Sequence, residues 1–128
     1  MSNAKRLSLG IDTSNYKTSV AVVDEDGQVL FNYQQFLNVK KGERGLRQSE
    51  AFFQHVQSLP DVLQDILSRK EIREHIGSVS VSTRPRPVEG SYMPVFTAGH
   101  GFAKAVSAAL DVPLFLFSHQ EGHIEAIR

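Results

Sequence analysis

Leu7-Ser8-Leu9-Gly10-Ile11-Asp12, then Thr13-Ser14-Asn15-Tyr16-Lys17, then Thr18-Ser19-Val20-Ala21-Val22-Val23-Asp24 is the stretch that decides the fold of this chain. The first segment is a short apolar run and reads as a buried strand. The second is a polar turn. The third is β-branched and apolar and reads as strand again. Asp24-Glu25-Asp26-Gly27 follows as a hairpin turn in which Gly27 takes the positive φ. From Gln28 to Phe36 the pattern alternates, with Val29, Phe31 and Tyr33 expected on one face and Gln28, Asn32 and Gln34 on the other. The opening is therefore a three-stranded meander.

Beyond it, residues 38–48 are polar and contain glycine, as a loop does. Phe52, Val56, Leu59, Leu63 and Ile66 are spaced 4, 3, 4 and 3, which predicts a core-facing helical stripe. Ser49 is the expected N-cap, with Glu50 in the first turn. Pro60 falls inside the stripe and predicts a kink or two abutting helices. Glu71 to His75 reads as a helical turn, Ser78 to Thr83 as a strand, and Arg84 to Pro94 as a loop with three prolines after Arg84 and one glycine. Val95 to Leu110 is a second long helix whose small residues, Ala98, Gly99, Gly101, Ala103 and Ala105, allow close packing on a sheet. Leu114 to Phe117 is the last strand. The order β-β-β-α-β-α-β predicts an α/β domain with a mixed five-stranded sheet and helices packed on it.

Composition bounds the function. The 128 residues suit one domain, with 41% hydrophobic and 22% charged residues. Formal net charge is zero, so nucleic-acid binding by bulk positive charge is not supported. There are no cysteines, which excludes disulfides and thiolate chemistry and fits a cytoplasmic protein. No apolar run reaches the ~20 residues of a membrane span. Residues 1–6 lack the apolar core of a signal peptide and read as a disordered or expression-derived tail.

Three patterns could carry chemistry. His119-Gln120-Glu121-Gly122-His123 sets two imidazoles four residues apart directly after an apolar strand. On one face of a helical turn they would form half of a metal site; the simpler reading is a pair of surface histidines. Asp12, Thr13, Ser14 and Lys17 follow a strand, where backbone N–H groups and hydroxyls can take nucleotide phosphates; the simpler reading is a polar hairpin. Arg84 and Arg86 at the end of a strand make either an anion clamp or a stiff, solvated loop. His55 and His100 read as structural histidines on helices. No nucleophile–base pair stands out.

Together these segments resemble the Kae1/TsaD family, formerly described as O-sialoglycoprotein endopeptidases or glycoproteases. The resemblance rests on Gly10-Ile11-Asp12-Thr13-Ser14 with Thr18 to Asp24, on Thr97-Ala98-Gly99-His100-Gly101 through Lys104-Ala105 and Asp111-Val112-Pro113, and on the His-x-Glu-Gly-His motif at His119–His123. It covers essentially the whole chain but only the N-terminal lobe of a two-lobed protein. It implies an actin-like (ASKHA, ribonuclease H-like) lobe and, in the full protein, tRNA adenosine threonylcarbamoyl transfer with ATP or an adenylate and a divalent metal, Fe, Zn or Mg.

Under this resemblance His119 and His123 are metal ligands, and Asp12, Thr13, Ser14 and Lys17 bind the nucleotide; Arg84 and Arg86, read from the residues themselves, would add an anion clamp to that site. The chain departs from the family in two places: Asn15-Tyr16-Lys17 replaces an acidic pair, and Arg84-Pro85-Arg86-Pro87 replaces a glycine loop. The resemblance implies as partners a C-terminal lobe absent from these residues, a homo- or heterodimer through the N-terminal lobe, and tRNA only indirectly; no membrane is implied. Residues 1–128 alone are expected to lack turnover. A non-catalytic dimerisation paralogue and an ASKHA-type kinase lobe are the alternatives. The order H-x-E-x-H is not the H-E-x-x-H of zinc proteases, so proteolysis is not expected.

Overall fold

The computed structural model describes residues 5–14, 17–38, 48–84 and 95–118. Three strands open the chain: β1 (Leu7–Thr13), β2 (Lys17–Asp24) and β3 (Val29–Phe36). Helix α1 (Gln48–Leu67) and the single turn α2 (Lys70–Arg73) follow, then β4 (Ile76–Arg84), α3 (Val95–Leu110) and β5 (Leu114–Ser118). The sheet order is β3-β2-β1-β4-β5. The two hairpins are antiparallel, while β1–β4 and β4–β5 are parallel. This is the mixed five-stranded sheet that the sequence predicts.

The handedness of crossovers explains where the helices sit. The steps β3→α1→β4 and β4→α3→β5 run in the same direction across the sheet. Right-handed connections therefore put both helices on one face. α1 and α3 pack together there, with α3 over β1 and β4 and α1 over β2. Leu9, Ile11, Val20, Val22, Val79 and Val81 point into this layer and meet Leu59, Ile66 and Ala103, all buried. Each large aliphatic side chain buried here stabilises the fold by about 1.5–3 kcal/mol.

Local chemistry explains the boundaries. Gly27 has φ 85°, as the hairpin turn requires. The buried Asp24 carboxylate holds that turn, accepting from the backbone N–H groups of Asp26 and Gln28, each at 2.9 Å. α3 stops at Asp111, whose φ of 54° reverses the chain. The Val112 N–H then donates to the Ser107 carbonyl at 3.0 Å, satisfying an otherwise orphaned helix end.

Several expectations meet the structure differently. α1 runs as one helix through Pro60, so two abutting helices do not form. Pro60 is exposed, so the unmade hydrogen bond lies on the solvent side, where water can replace it. The described helix starts at Gln48, one residue before Ser49. Leu59, Leu63 and Ile66 of its predicted stripe are buried, but in the first half Ala51 and His55 face inward instead of Phe52, which is 37% exposed, and Val56, which is only partly buried. His55 thus enters the interior at a position the apolar pattern ignores.

In β3, Phe31 pairs with Val22 and Val29 with Val23, which skips Leu30. Val29 therefore does not share a face with Phe31 and Tyr33. Lys5, expected in the tail, makes an ion pair with Asp26. Among the described residues no helix is long and apolar enough to cross a membrane.

Candidate functional site

The two faces of the sheet differ chemically. Alternation in β1 puts Leu7, Leu9, Ile11 and Thr13 under the helices and Ser8, Gly10 and Asp12 on the other face. Register carries this across the sheet. Ser19 and Ala21 of β2 lie beside Asp12 and Gly10, and Ser78 and Ser80 of β4 lie beside Ser8 and Gly10. The second face is thus a field of small, mostly polar side chains, and no described helix covers it. The Ser8 and Ser78 hydroxyls are hydrogen-bonded at 3.0 Å.

Asp12 and Ser82 stand at the carboxyl ends of β1 and β4, the two central parallel strands. The fully buried Ser82 hydroxyl donates to the Asp12 carboxylate. Ser19, opposite Asp12, has a buried hydroxyl without a hydrogen-bond partner. A carboxylate anchored in this way at the carboxyl edge of a parallel pair is where an open α/β sheet takes its ligands.

The turn beside it is closed from both sides. The Ser14 N–H donates to the Lys17 carbonyl at 3.1 Å, and the Lys17 N–H donates to Ser14 Oγ at 3.2 Å. From the helix layer, His55 Nε2 lies 2.7 Å from the Ser14 carbonyl oxygen. A carbonyl only accepts, so Nε2 carries the proton. Nδ1 then accepts from the Thr18 hydroxyl at 2.7 Å. Burial pushes the His55 pKa below its ordinary value, and the Ser14 hydrogen bond and the Asp12 charge oppose that shift. His55 is thus a neutral strut between the turn and α1, a structural histidine as its place on the helix predicts.

The remaining predicted residues separate. Thr13 is fully buried on the helix face, and its hydroxyl donates to the Val95 carbonyl at 2.9 Å. It holds the start of α3, on the face opposite to Asp12. Close approach there depends on Gly99, where an added Cβ would sit 2.9 Å from Thr13 Oγ1 and 3.3 Å from Ile11 Cγ2. The Lys17 ammonium reaches Gln34 at 3.4 Å and lies 5.9 Å from the centre of the Phe36 ring. Arg84 ends β4, its backbone paired with Ser118. Arg86, His119 and His123 lie outside the described residues. Among the described residues no three His, Asp or Glu side chains are grouped to hold a metal.

Sequence reasoning missed Ser82, whose signal was the alternation Ser78-Val79-Ser80-Val81-Ser82. It also missed a polar groove of about 440 Å³ between β3 and α1, lined by Thr18, Gln35, Gln54, Ser58 and Asp61 among others. That groove depends on contacts between elements distant in sequence. Its floor is fixed by Gln54, whose side-chain amide exchanges two hydrogen bonds with the Asn38 backbone at 2.8 and 3.0 Å.

Sheet order and helix placement together define an actin-like, ribonuclease H-like lobe. YeaZ from Pseudomonas aeruginosa superposes on it with a TM-score of 0.61 at 18% identity, over 88% of this chain and 43% of that one. Thermus thermophilus RuvC in complex with a Holliday junction substrate shares the fold at a TM-score of 0.51 and 13% identity, over 90% of this chain and 66% of that one. No protein-family model matches the chain.

Sequence narrows the class further. The tRNA N6-adenosine threonylcarbamoyltransferase of Neorickettsia sennetsu is 30% identical over 122 residues, 95% of this chain and 35% of that protein. A protein of the same name from Thermus thermophilus is 31% identical over 119 residues, 92% of this chain and 35% of its own length. The chain is homologous to the N-terminal lobe of the Kae1/TsaD family. It spans about a third of the length of the curated relatives it matches.

Proposed function

We propose that this chain is the lobe of a TsaD-type enzyme that holds the nucleotide, and one side of a divalent metal, during threonylcarbamoyl transfer to a tRNA adenosine. Its relationship to the tRNA N6-adenosine threonylcarbamoyltransferases supports the reaction class. The geometric support is the Asp12–Ser82 pair at the carboxyl ends of β1 and β4. Beside it Ser14 and Lys17 are tied to each other by hydrogen bonds, and Lys17 would bring a positive charge toward a phosphate. Asp12 would hold the Mg²⁺ that accompanies ATP or the adenylate, directly or through water. Arg84 and Arg86 would meet its phosphate or carboxylate oxygens.

His119 and His123 would supply two imidazole ligands, a set suited to Fe or Zn. A metal there would polarise the acyl or phosphate oxygens of the donor. The rest of the catalytic constellation, including the second lobe and the tRNA contacts, would come from outside these residues. Absence of cysteine and a tRNA-directed reaction support a cytoplasmic setting.

Calorimetric titration of the protein containing this lobe with Mg²⁺-ATP tests the site. Asp12→Asn is nearly isosteric and should weaken binding about tenfold or more, the effect of losing one charge interaction. Equal affinity in the two proteins rejects the site. The second reading is a non-catalytic partner of the same family. It is favoured by Lys17, which lies against Gln34 and Phe36 of β3. A folded protein with no nucleotide affinity would establish that reading instead.

A further inference from the structure

The polar groove between β3 and α1 takes no part in the arrangement around Asp12. Its volume of about 440 Å³ falls in the range of small-molecule sites. It is also preformed. The side-chain amide of Gln54 on α1 bonds to both the N–H and the carbonyl of Asn38, as a neighbouring strand would. The chain after β3 is thereby held at a fixed spacing from the helix.

The wall of the groove is rich in acceptors. The Ser58 hydroxyl commits its single proton to the Gln54 carbonyl at 2.9 Å. The Thr18 hydroxyl, 3.4 Å from Ser58 Oγ, commits its own to His55 Nδ1. Ser58 Oγ is therefore left with acceptor capacity only. Asp61, three residues further along α1, is exposed, and its carboxylate can only accept. Among the described residues Asp61 has no ion-pair or hydrogen-bond partner, whereas Asp65 is paired with Arg69 at 3.5 Å. Gln57, also exposed on the wall, has no partner among them either.

The charge around the groove has one sign. Among the described residues that line it, none is Lys, Arg or His. α1 carries Glu50, Asp61 and Asp65 and no lysine or arginine, and β3 carries no charge. Asp61 and Asp65 lie four residues apart on one helix face, a like-charge pair that a cation would relieve. A phosphate or carboxylate ligand would meet acceptors and negative charge. A positively charged ligand with several N–H donors supplies what the wall lacks.

We propose that the groove is a binding site for a small organic cation, an alkylguanidine or alkylamine, whose N–H groups donate to the Asp61 carboxylate and to Ser58 Oγ. A guanidinium suits it best. Its planar fork takes a carboxylate through two hydrogen bonds, and it is more weakly hydrated than an ammonium. With one exposed carboxylate the affinity is modest, a dissociation constant on the order of 0.1–1 mM. The site is separate from Asp12 and stands whether or not the lobe holds a nucleotide.

Calorimetric titration of the protein containing this lobe with argininamide, in about 0.15 M salt, tests the site. Argininamide should bind, and the dianion glutarate should not. Asp61→Asn should weaken argininamide binding about fivefold or more, and Asp65→Asn, outside the groove, by less than about twofold. Both positions are exposed, and circular dichroism confirms that each variant is folded. Absence of binding to the parent protein, equal binding of glutarate, or unchanged affinity in Asp61→Asn overturns the proposal. Equal weakening by the two variants also overturns it, because the general acidity of α1, and not the groove, would then hold the cation.

Discussion

His55 Nε2 donates across 2.7 Å to the carbonyl oxygen of Ser14, tying the early turns of α1 to the turn between β1 and β2. The same ring accepts from Thr18 at the start of β2. One imidazole thereby fixes both ends of the turn beside Asp12, and its protonation state matters to the fold.

Acid should destabilise this protein through His55. Burial holds its folded pKa below the ordinary 6.5. Just below that value the unfolded chain takes up a proton that the folded chain refuses. Stability is therefore complete above the ordinary value and falls as pH drops through it toward the folded pKa. His55→Gln keeps hydrogen-bonding groups but does not titrate. The midpoint of thermal unfolding, compared at about pH 7.5 and about pH 5.5, should fall further in the parent than in the variant. Equal slopes would reject the assignment.

Two glycines of α3 should respond in opposite directions to the same change. Gly99→Ala puts a methyl 2.9 Å from Thr13 Oγ1, so either the Thr13–Val95 hydrogen bond breaks or α3 lifts off β1. The expected cost is about 1–3 kcal/mol, more than the gain in helix propensity. Gly101→Ala meets nothing within 4 Å and should stabilise by about 0.5–1 kcal/mol. Urea unfolding of both variants checks the pair.

The hairpin from β2 to β3 should depend on Asp24. Removing its carboxylate leaves the Asp26 and Gln28 N–H groups without their acceptor. Asp24→Ala should cost about 1–2 kcal/mol in the same urea experiment, and Asp24→Asn clearly less because it keeps an oxygen. Equal losses would mean that the charge, and not the hydrogen bonds, holds the turn.

In the protein containing this lobe, His119→Ala should abolish stoichiometric metal measured by plasma emission, with an unchanged thermal unfolding profile of the sheet. Metal retained by that variant would remove His119 from the ligand set.

Much of the fold was legible because alternation and turn chemistry act locally. α3 has the bounds Val95–Leu110 that its pattern predicts, and Gly27 has its positive φ. The errors fall where local rules meet tertiary contacts. Pro60 is tolerated on the exposed side of α1, where water can replace the missing hydrogen bond. The first half of the α1 stripe buries His55 instead of Val56, and the cost of that imidazole in the core is met by Thr18 and Ser14, residues about forty positions away. Asp12 was found as the polar end of an apolar strand, while Ser82 was hidden in a strand that merely alternates. Thr13 was grouped with Asp12 by adjacency, yet neighbouring residues in a strand point to opposite faces, and its hydroxyl serves α3.

By itself the sequence determined the element order, the mixed sheet and, through its motifs, the resemblance to a family. Those depend on periodicity, turn residues and composition, which each short segment carries alone. Only the tertiary structure decided which polar groups meet: Asp12 with Ser82, and His55 with Ser14 and Thr18. Such pairings arise from register and crossover handedness, which act between segments 37 to 70 residues apart, beyond the reach of any local pattern.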